Sequence, residues 1–186
     1  SLLFDPGERY SYSGEGYQYL ARVIAELNGI TTAELDELFQ KEVAAPLGID
    51  RLYFDWNKDL TLNKARGHLN GVPTNPEIHW ETSWESDRFG AAGGLHTDAN
   101  SYAKFMIALI NSWRTVFKND DIPFIYAQLP NYMDVSYLPS ESNWAELRAS
   151  QLETLETPNT AMTVNIDLGE WNDIHPDNKK DVGERM

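Results

Sequence analysis

Four segments at the end of the chain leave little freedom of architecture. Ile122 to Leu129 is an apolar run of strand length, and Asn143 to Leu155 has helical spacing through Trp144, Leu147, Gln151 and Leu155. Ala161 to Asp167 alternates through Met162, Val164 and Ile166, and a last short helix is predicted from Asn178 to the terminus. Strand, helix, strand, helix in this order specifies a parallel α/β unit, because parallel strands need a long crossover and a helix is its compact form.

The earlier part of the chain is helix-rich. Tyr17, Leu20, Ile24 and Leu27 form an apolar stripe in a helix predicted over Gly16 to Asn28, with Gly29 as its stop. Thr31 and Glu34 spell a capping box ahead of Leu35, Leu38, Phe39 and Val43, and Pro46-Leu47-Gly48 closes that helix. A third helix is predicted from about Asp98 to Ser112, burying Tyr102, Phe105, Met106, Leu109 and Ile110. Between Asp50 and Gly90 periodicity fails among Pro73, Pro76, Trp56, Trp80 and Trp84, which reads as an irregular excursion.

Composition removes several classes of function. A chain of 186 residues can bury about 70% of its extended surface, so neither metal nor disulfide is needed for a core. The absence of cysteine excludes disulfides, thiolate-bound zinc, iron–sulfur clusters and thiol nucleophiles. A net charge of -14 repels phosphate backbones and anionic lipid, so neither nucleic acid nor membrane is expected as a partner. Residues 1–110 carry 16 acidic and 9 basic side chains and residues 111–186 carry 13 and 6, so no basic half is hidden in the total. No apolar run approaches the roughly 18 residues that span a bilayer. Ser1 opens no signal-peptide pattern, and the lack of Met there suggests that a natural reading frame starts elsewhere. His68, His79 and His96 lack metal-ligand spacing, so no metal or other cofactor is expected. Trp80 and Trp84, flanked by Glu81 and Glu85, read as core or as the lining of a cleft.

The segment Asp5-Pro6-Gly7-Glu8-Arg9-Tyr10-Ser11-Tyr12-Ser13-Gly14, followed by Ala44-Ala45-Pro46-Leu47-Gly48 and Ala92-Gly93-Gly94-Leu95-His96-Thr97, resembles the serine β-lactamase and penicillin-binding-protein family over residues 1 to about 110. The resemblance implies that Tyr12 helps to deprotonate a nucleophile. A phenol with a pKa near 10 needs a neighbouring cation for that task, and the family takes it from a Ser-x-x-Lys motif upstream of the tyrosine. Only eleven residues precede Tyr12, Gly14 stands where the motif has Asn, and no Lys-Thr-Gly strand follows. Ser101-Tyr102-Ala103-Lys104 has the right spelling in the wrong place, as a pattern with two free positions will by chance. Tyr12 therefore reads as structural or as catalytic.

Residues 109 to 186 resemble another family. Trp113-Arg114, Ile122-Pro123-Phe124, Asn143-Trp144-Ala145-Glu146-Leu147-Arg148 with Gln151, Pro158-Asn159-Thr160-Ala161-Met162, Asp173-Ile174-His175-Pro176 and Val182-Gly183-Glu184-Arg185 look like the closing portion of sialate O-acetylesterases. These are SGNH-class carbohydrate esterases with a flavodoxin-like α/β fold. The resemblance implies His175 as general base and Asp173 as its carboxylate partner, since imidazole titrates near neutrality and a carboxylate fixes its tautomer. The class places its acid three residues before the histidine, where this chain has Asn172, and its Gly-Asp-Ser-like nucleophile block is not spelled here. His175 thus reads as the base or as a loop-end hydrogen bonder, and Arg148 and Gln151, sharing a helix face, read as substrate contacts or as loop pins.

The expected fold class is therefore α/β, a helix-rich β-lactamase-like fragment over 1–110 followed by a small parallel flavodoxin-like fragment over 111–186. The expected function is a sialate-type O-acetylesterase acting on an acetylated sugar, incomplete in this chain; the alternatives are a β-lactamase-like serine hydrolase and a non-catalytic fusion relic. Both families imply periplasmic or secreted relatives, and the compartment stays open. At 186 residues the chain is too short for either parent and reads as a truncated composite whose apolar faces lack their usual cover. Marginal stability or self-association is the expected outcome in sedimentation velocity over a concentration series, and a sharply melting monomer is the contrary one.

Overall fold

Helix α1 (Gly14–Asn28) starts where the Ser13 hydroxyl accepts the Gly16 N–H at 3.1 Å and stops at Gly29, whose φ of 68° is left-handed. The computed structural model that shows this describes residues 4–5, 7–63, 68–69, 72–73, 90–133, 135, 137–139 and 142–186; His79, Trp80, Glu81, Trp84 and Glu85 lie outside them. The face that α1 buries is not the predicted one. Ala21 and Ala25 pack against Leu35, with Ile30, Leu38 and Ala91 around them. Tyr17, Leu20 and Leu27 are 56%, 51% and 81% exposed, and Ile24 is also exposed. The small side chains of Ala21 and Ala25 admit a close approach of Leu35.

The capping box forms as expected, with the Glu34 carboxylate accepting both the N–H and the hydroxyl of Thr31 at 2.8 Å. The predicted single helix is broken into a 3-10 turn (Thr32–Glu34), helix α2 (Leu35–Phe39) and a wide π turn (Gln40–Ala44). That widening accompanies side-chain bonds to the next strand. The Gln40 carboxamide donates to the Leu52 carbonyl at 2.6 Å, and the Asp36 carboxylate accepts the Phe54 N–H at 2.7 Å. Strand β1 (Leu52–Tyr53) precedes α3 (Lys58–Asn63) and an antiparallel pair of two-residue strands, β2 (His68–Leu69) and β3 (Val72–Pro73). Strand β4 (His96–Thr97) returns antiparallel to β1, pairing Leu52 with Thr97. Ala44, Ile49 and Leu52 form a core closed by Phe39, Leu95 and Phe105.

Phe105 belongs to α4 (Ala99–Phe117), which Asp98 caps by accepting the Ser101 N–H at 2.8 Å. This helix outruns its predicted end at Ser112 and finishes on Lys118 in a left-handed conformation. Its second half carries the α/β unit: β5 (Phe124–Ala127), α5 (Asn143–Glu153), β6 (Thr160–Thr163) and α6 (Lys179–Arg185). Strands β5 and β6 are parallel, pairing Phe124 with Thr160 through Ala127 with Thr163. The chain is thus α/β and helix-rich, with small antiparallel and parallel sheets. Strand β6 is shorter than predicted because Asn165, fully buried, turns the chain. Its carboxamide donates to the Gln128 carbonyl at 3.2 Å and the Thr163 hydroxyl at 3.4 Å, and Ile166 follows in an exposed turn.

Arg114 joins the helix to both strands. Only 6% exposed, its guanidinium donates to the Ile122 carbonyl at 3.2 and 3.0 Å, to Pro158 at 2.6 Å and to Asn159 at 3.4 Å. No carboxylate is among those acceptors; the charge is held by carbonyl dipoles. Arg114→Met keeps most of the stem and removes these donors, and urea unfolding is expected to show a loss of about 2–3 kcal/mol, with Arg114→Lys intermediate.

Candidate functional site

Among the described residues, no hydrogen bond or ion pair joins the Tyr12 hydroxyl to a serine or a lysine side chain. Tyr12 lies in an extended segment ahead of α1 and is 81% exposed. Gly14 sits against the Gly-rich turn, where an added Cβ would stand 3.4 Å from the Ala92 Cβ, so the structure brings these two landmarks together. That turn closes on itself, the N–H groups of Gly93 and Gly94 donating to the Gly90 carbonyl at 3.1 and 2.6 Å. In the Ser-x-x-Lys spelling, Ser101 is buried in the first turn of α4 while Lys104 reaches away to the Gly48 carbonyl at 2.9 Å. The pair builds no base. His96 stacks edge-on against Trp56, ring centroids 5.8 Å apart. Among the described residues no group of three or more metal-ligating side chains converges.

A second pair of candidate residues lies in the segment that follows β6. The segment from Val164 to Asn178 leaves β6, carries Asp173 and His175, and returns to α6. Asp173 Oδ1 accepts the His175 backbone N–H at 2.7 Å and lies 3.3 Å from His175 Nδ1. The His175 side chain is 84% exposed, which leaves Nε2 open to a proton donor. The His175 N–H, followed by its side chain and the charge of Lys179, holds the Asp173 carboxyl below the usual carboxylate range.

This loop is docked on the segment after β5. Gly169 donates its N–H to Asn131 Oδ1 at 2.8 Å, and a Cβ there would collide with the Asn131 carbonyl and Pro130. Met133, at a φ of 82°, donates its N–H to the Trp171 carbonyl at 2.8 Å. At the loop's base Arg185 meets Asp167 in a bidentate pair. Asp167 is pulled down to about 2 by this bond with Arg185.

Gln151 is buried and works as a pin: its Oε1 accepts the Leu129 N–H at 2.9 Å and its carbonyl accepts the Tyr126 hydroxyl at 2.7 Å. Arg148 is half-buried on α5, and among the described residues no hydrogen bond or ion pair joins either side chain to His175 or Asp173. Sequence reasoning gave no role to Asn131, Asp167 or Gly169, because their partners are separated by spacings that no local rule covers. A shallow hollow of about 570 Å³ lies on the outer face of the strand pair, lined by Asp121, Pro123, Ile125, Asn159, Thr160 and Ala161. It lies toward the strands' N-terminal ends, opposite to where parallel sheets bind ligands.

A depressed carboxylate lends stability above its unfolded pKa, about 3.9, and loses it as pH falls through the folded value. For Asp167, with Arg185 facing it and Asp181 acting on Arg185, that window runs from about 4 down to about 2. The Asp167 carboxyl carbon resonance is expected to titrate with a midpoint near 2, and in Arg185→Gln that midpoint is expected to rise toward the ordinary carboxylate value.

The Beta-lactamase family model matches residues 1–145. Among solved structures, a novel carbohydrate acetylesterase from Xanthomonas citri is 41% identical, covering 47% of this chain with a TM-score of 0.43; this chain spans 20% of that one. No curated protein matches the chain.

Proposed function

Since the chain belongs to the β-lactamase family, we propose that it serves a hydrolase of the serine type, and that its chemistry is ester hydrolysis on an O-acetylated sugar of the sialate kind with His175 as general base. The observation that carries this reading is the Asp173–His175 pair, 3.3 Å apart, in the segment that follows β6. A carboxylate at Nδ1 favours the tautomer with its proton there and leaves the Nε2 lone pair to take a serine proton. It then stabilises the imidazolium, which returns the proton to the leaving sugar oxygen. The landmarks of residues 109 to 186 support the substrate class, and the proposal concerns the base, since the usual nucleophile block is not spelled in the sequence.

Acetyl release from an O-acetylated sialic acid is expected to fall about 100- to 10,000-fold in His175→Ala. It is expected to fall less in Asp173→Asn, because an exposed carboxylate orients more than it stabilises. Turnover untouched by His175→Ala would remove that residue from the reaction. A second reading, β-lactam chemistry at Tyr12, is favoured by the contact between Gly14 and the Gly-rich turn. Covalent labelling by a fluorescent penicillin separates the two, and none is expected.

A further inference from the structure

We propose that α6 is a latch for the loop that carries His175, and that Arg185 is its positioning residue. The loop is tied near its start and middle by Asn165 to Gln128, by Gly169 to Asn131 and by Trp171 to Met133. Its far end runs through Asp173 and His175 into α6, a seven-residue helix with no buried residue. Among the described residues, the side-chain hydrogen bonds that fasten α6 to the rest of the fold all come from Arg185. Nη1 donates to the Val164 carbonyl at 2.7 Å and to Asp167 Oδ1 at 2.6 Å, and Nη2 donates to Asp167 Oδ2 at 2.8 Å. Among the described residues, the other side-chain hydrogen bonds and ion pairs of α6 stay local: Asn178 caps Asp181, and Lys180 pairs with Glu184 at 3.6 Å.

Val164 directly follows β6 and Arg185 ends α6, so the guanidinium closes the neck of the whole excursion. Closing a loop at its neck removes most of its end-to-end freedom in one step. The planar fork matters, since it satisfies both carboxylate oxygens and a carbonyl at fixed angles, whereas an ammonium presents one point charge. What the latch does for catalysis rests on the esterase reading above: a base must be held within a fraction of an ångström of its working position, and a misplacement of about 1 Å costs about 100-fold.

The test uses the full chain labelled with nitrogen-15. Wild-type heteronuclear NOE values for residues 170–177 are expected to match those of α4. In Arg185→Gln and Arg185→Lys they are expected to drop while α4 and α5 are unchanged, which shows that the fold persists, and the charge-swapped pair Asp167→Arg with Arg185→Asp is expected to recover part of the order. In the acetyl-ester assay Arg185→Lys is expected to lower kcat by up to about 100-fold with little change in KM. Loop values in Arg185→Gln equal to wild type would overturn the latch. A loop that loosens in Arg185→Gln, in a protein without turnover, would uphold the latch and overturn the esterase reading.

Discussion

The buried guanidinium of Arg114 sets the geometry on which the second half of the molecule depends. A charge away from water is tolerable only when its donors find acceptors, and here the acceptors are carbonyls of two separate loops. Ile122 stands just ahead of β5, and Pro158 and Asn159 just ahead of β6. One side chain on α4 therefore fixes where both strands begin. The parallel register starts from that line, with the Phe124 N–H reaching the Asn159 carbonyl at 3.0 Å and Phe124 pairing with Thr160.

The far ends of the same strands inherit this precision. Gln128 and Asn165 lie just past β5 and β6 and bond to each other, and the chain beyond Asn165 settles onto Asn131 through a glycine with no room for a side chain. The Asp173–His175 pair is the exposed tip of this stack of polar contacts. In the N-terminal half the polar supports gather around β1, where Gln40 meets Leu52, Asp36 meets Phe54 and Thr97 meets Arg51. Its Tyr12 rests on an extended segment, and its small core of Ala44, Ile49 and Leu52 connects to the rest through Phe105 on α4. Helix α4 is thus shared, its first turns belonging to one core and Ile110 and Arg114 to the packing of the other.

Most elements were legible in the sequence because their signals are local. The capping box at Thr31 and Glu34, the stop at Gly29, the helical spacing of Trp144, Leu147 and Gln151, and the strand–helix–strand order all rest on residues within a few positions of one another. What was not legible depends on distant partners. The apolar stripe of α1 predicts a helix correctly but not which side is covered, since Ala21 and Ala25 meet Leu35 from the next helix. The Ser-x-x-Lys spelling is dissolved by Lys104 bonding to Gly48, fifty-six positions away. His175 and Asp173 were visible as a pair of residue types, whereas the bonds that place their loop, Gly169 to Asn131 and Arg185 to Asp167, join positions that no periodicity relates.

The strand pair has a property that its side chains do not express. Among the described residues β5 and β6 have only each other, so each is an edge, with one row of amides and carbonyls turned outward. Four residues at about 3.3 Å each make a row of about 13 Å, short for self-templating but enough to receive one more strand. An extended segment arriving at either side would be recognised by backbone before any side chain had been fitted. The pair is thus a seed from which a wider sheet could be laid down in both directions.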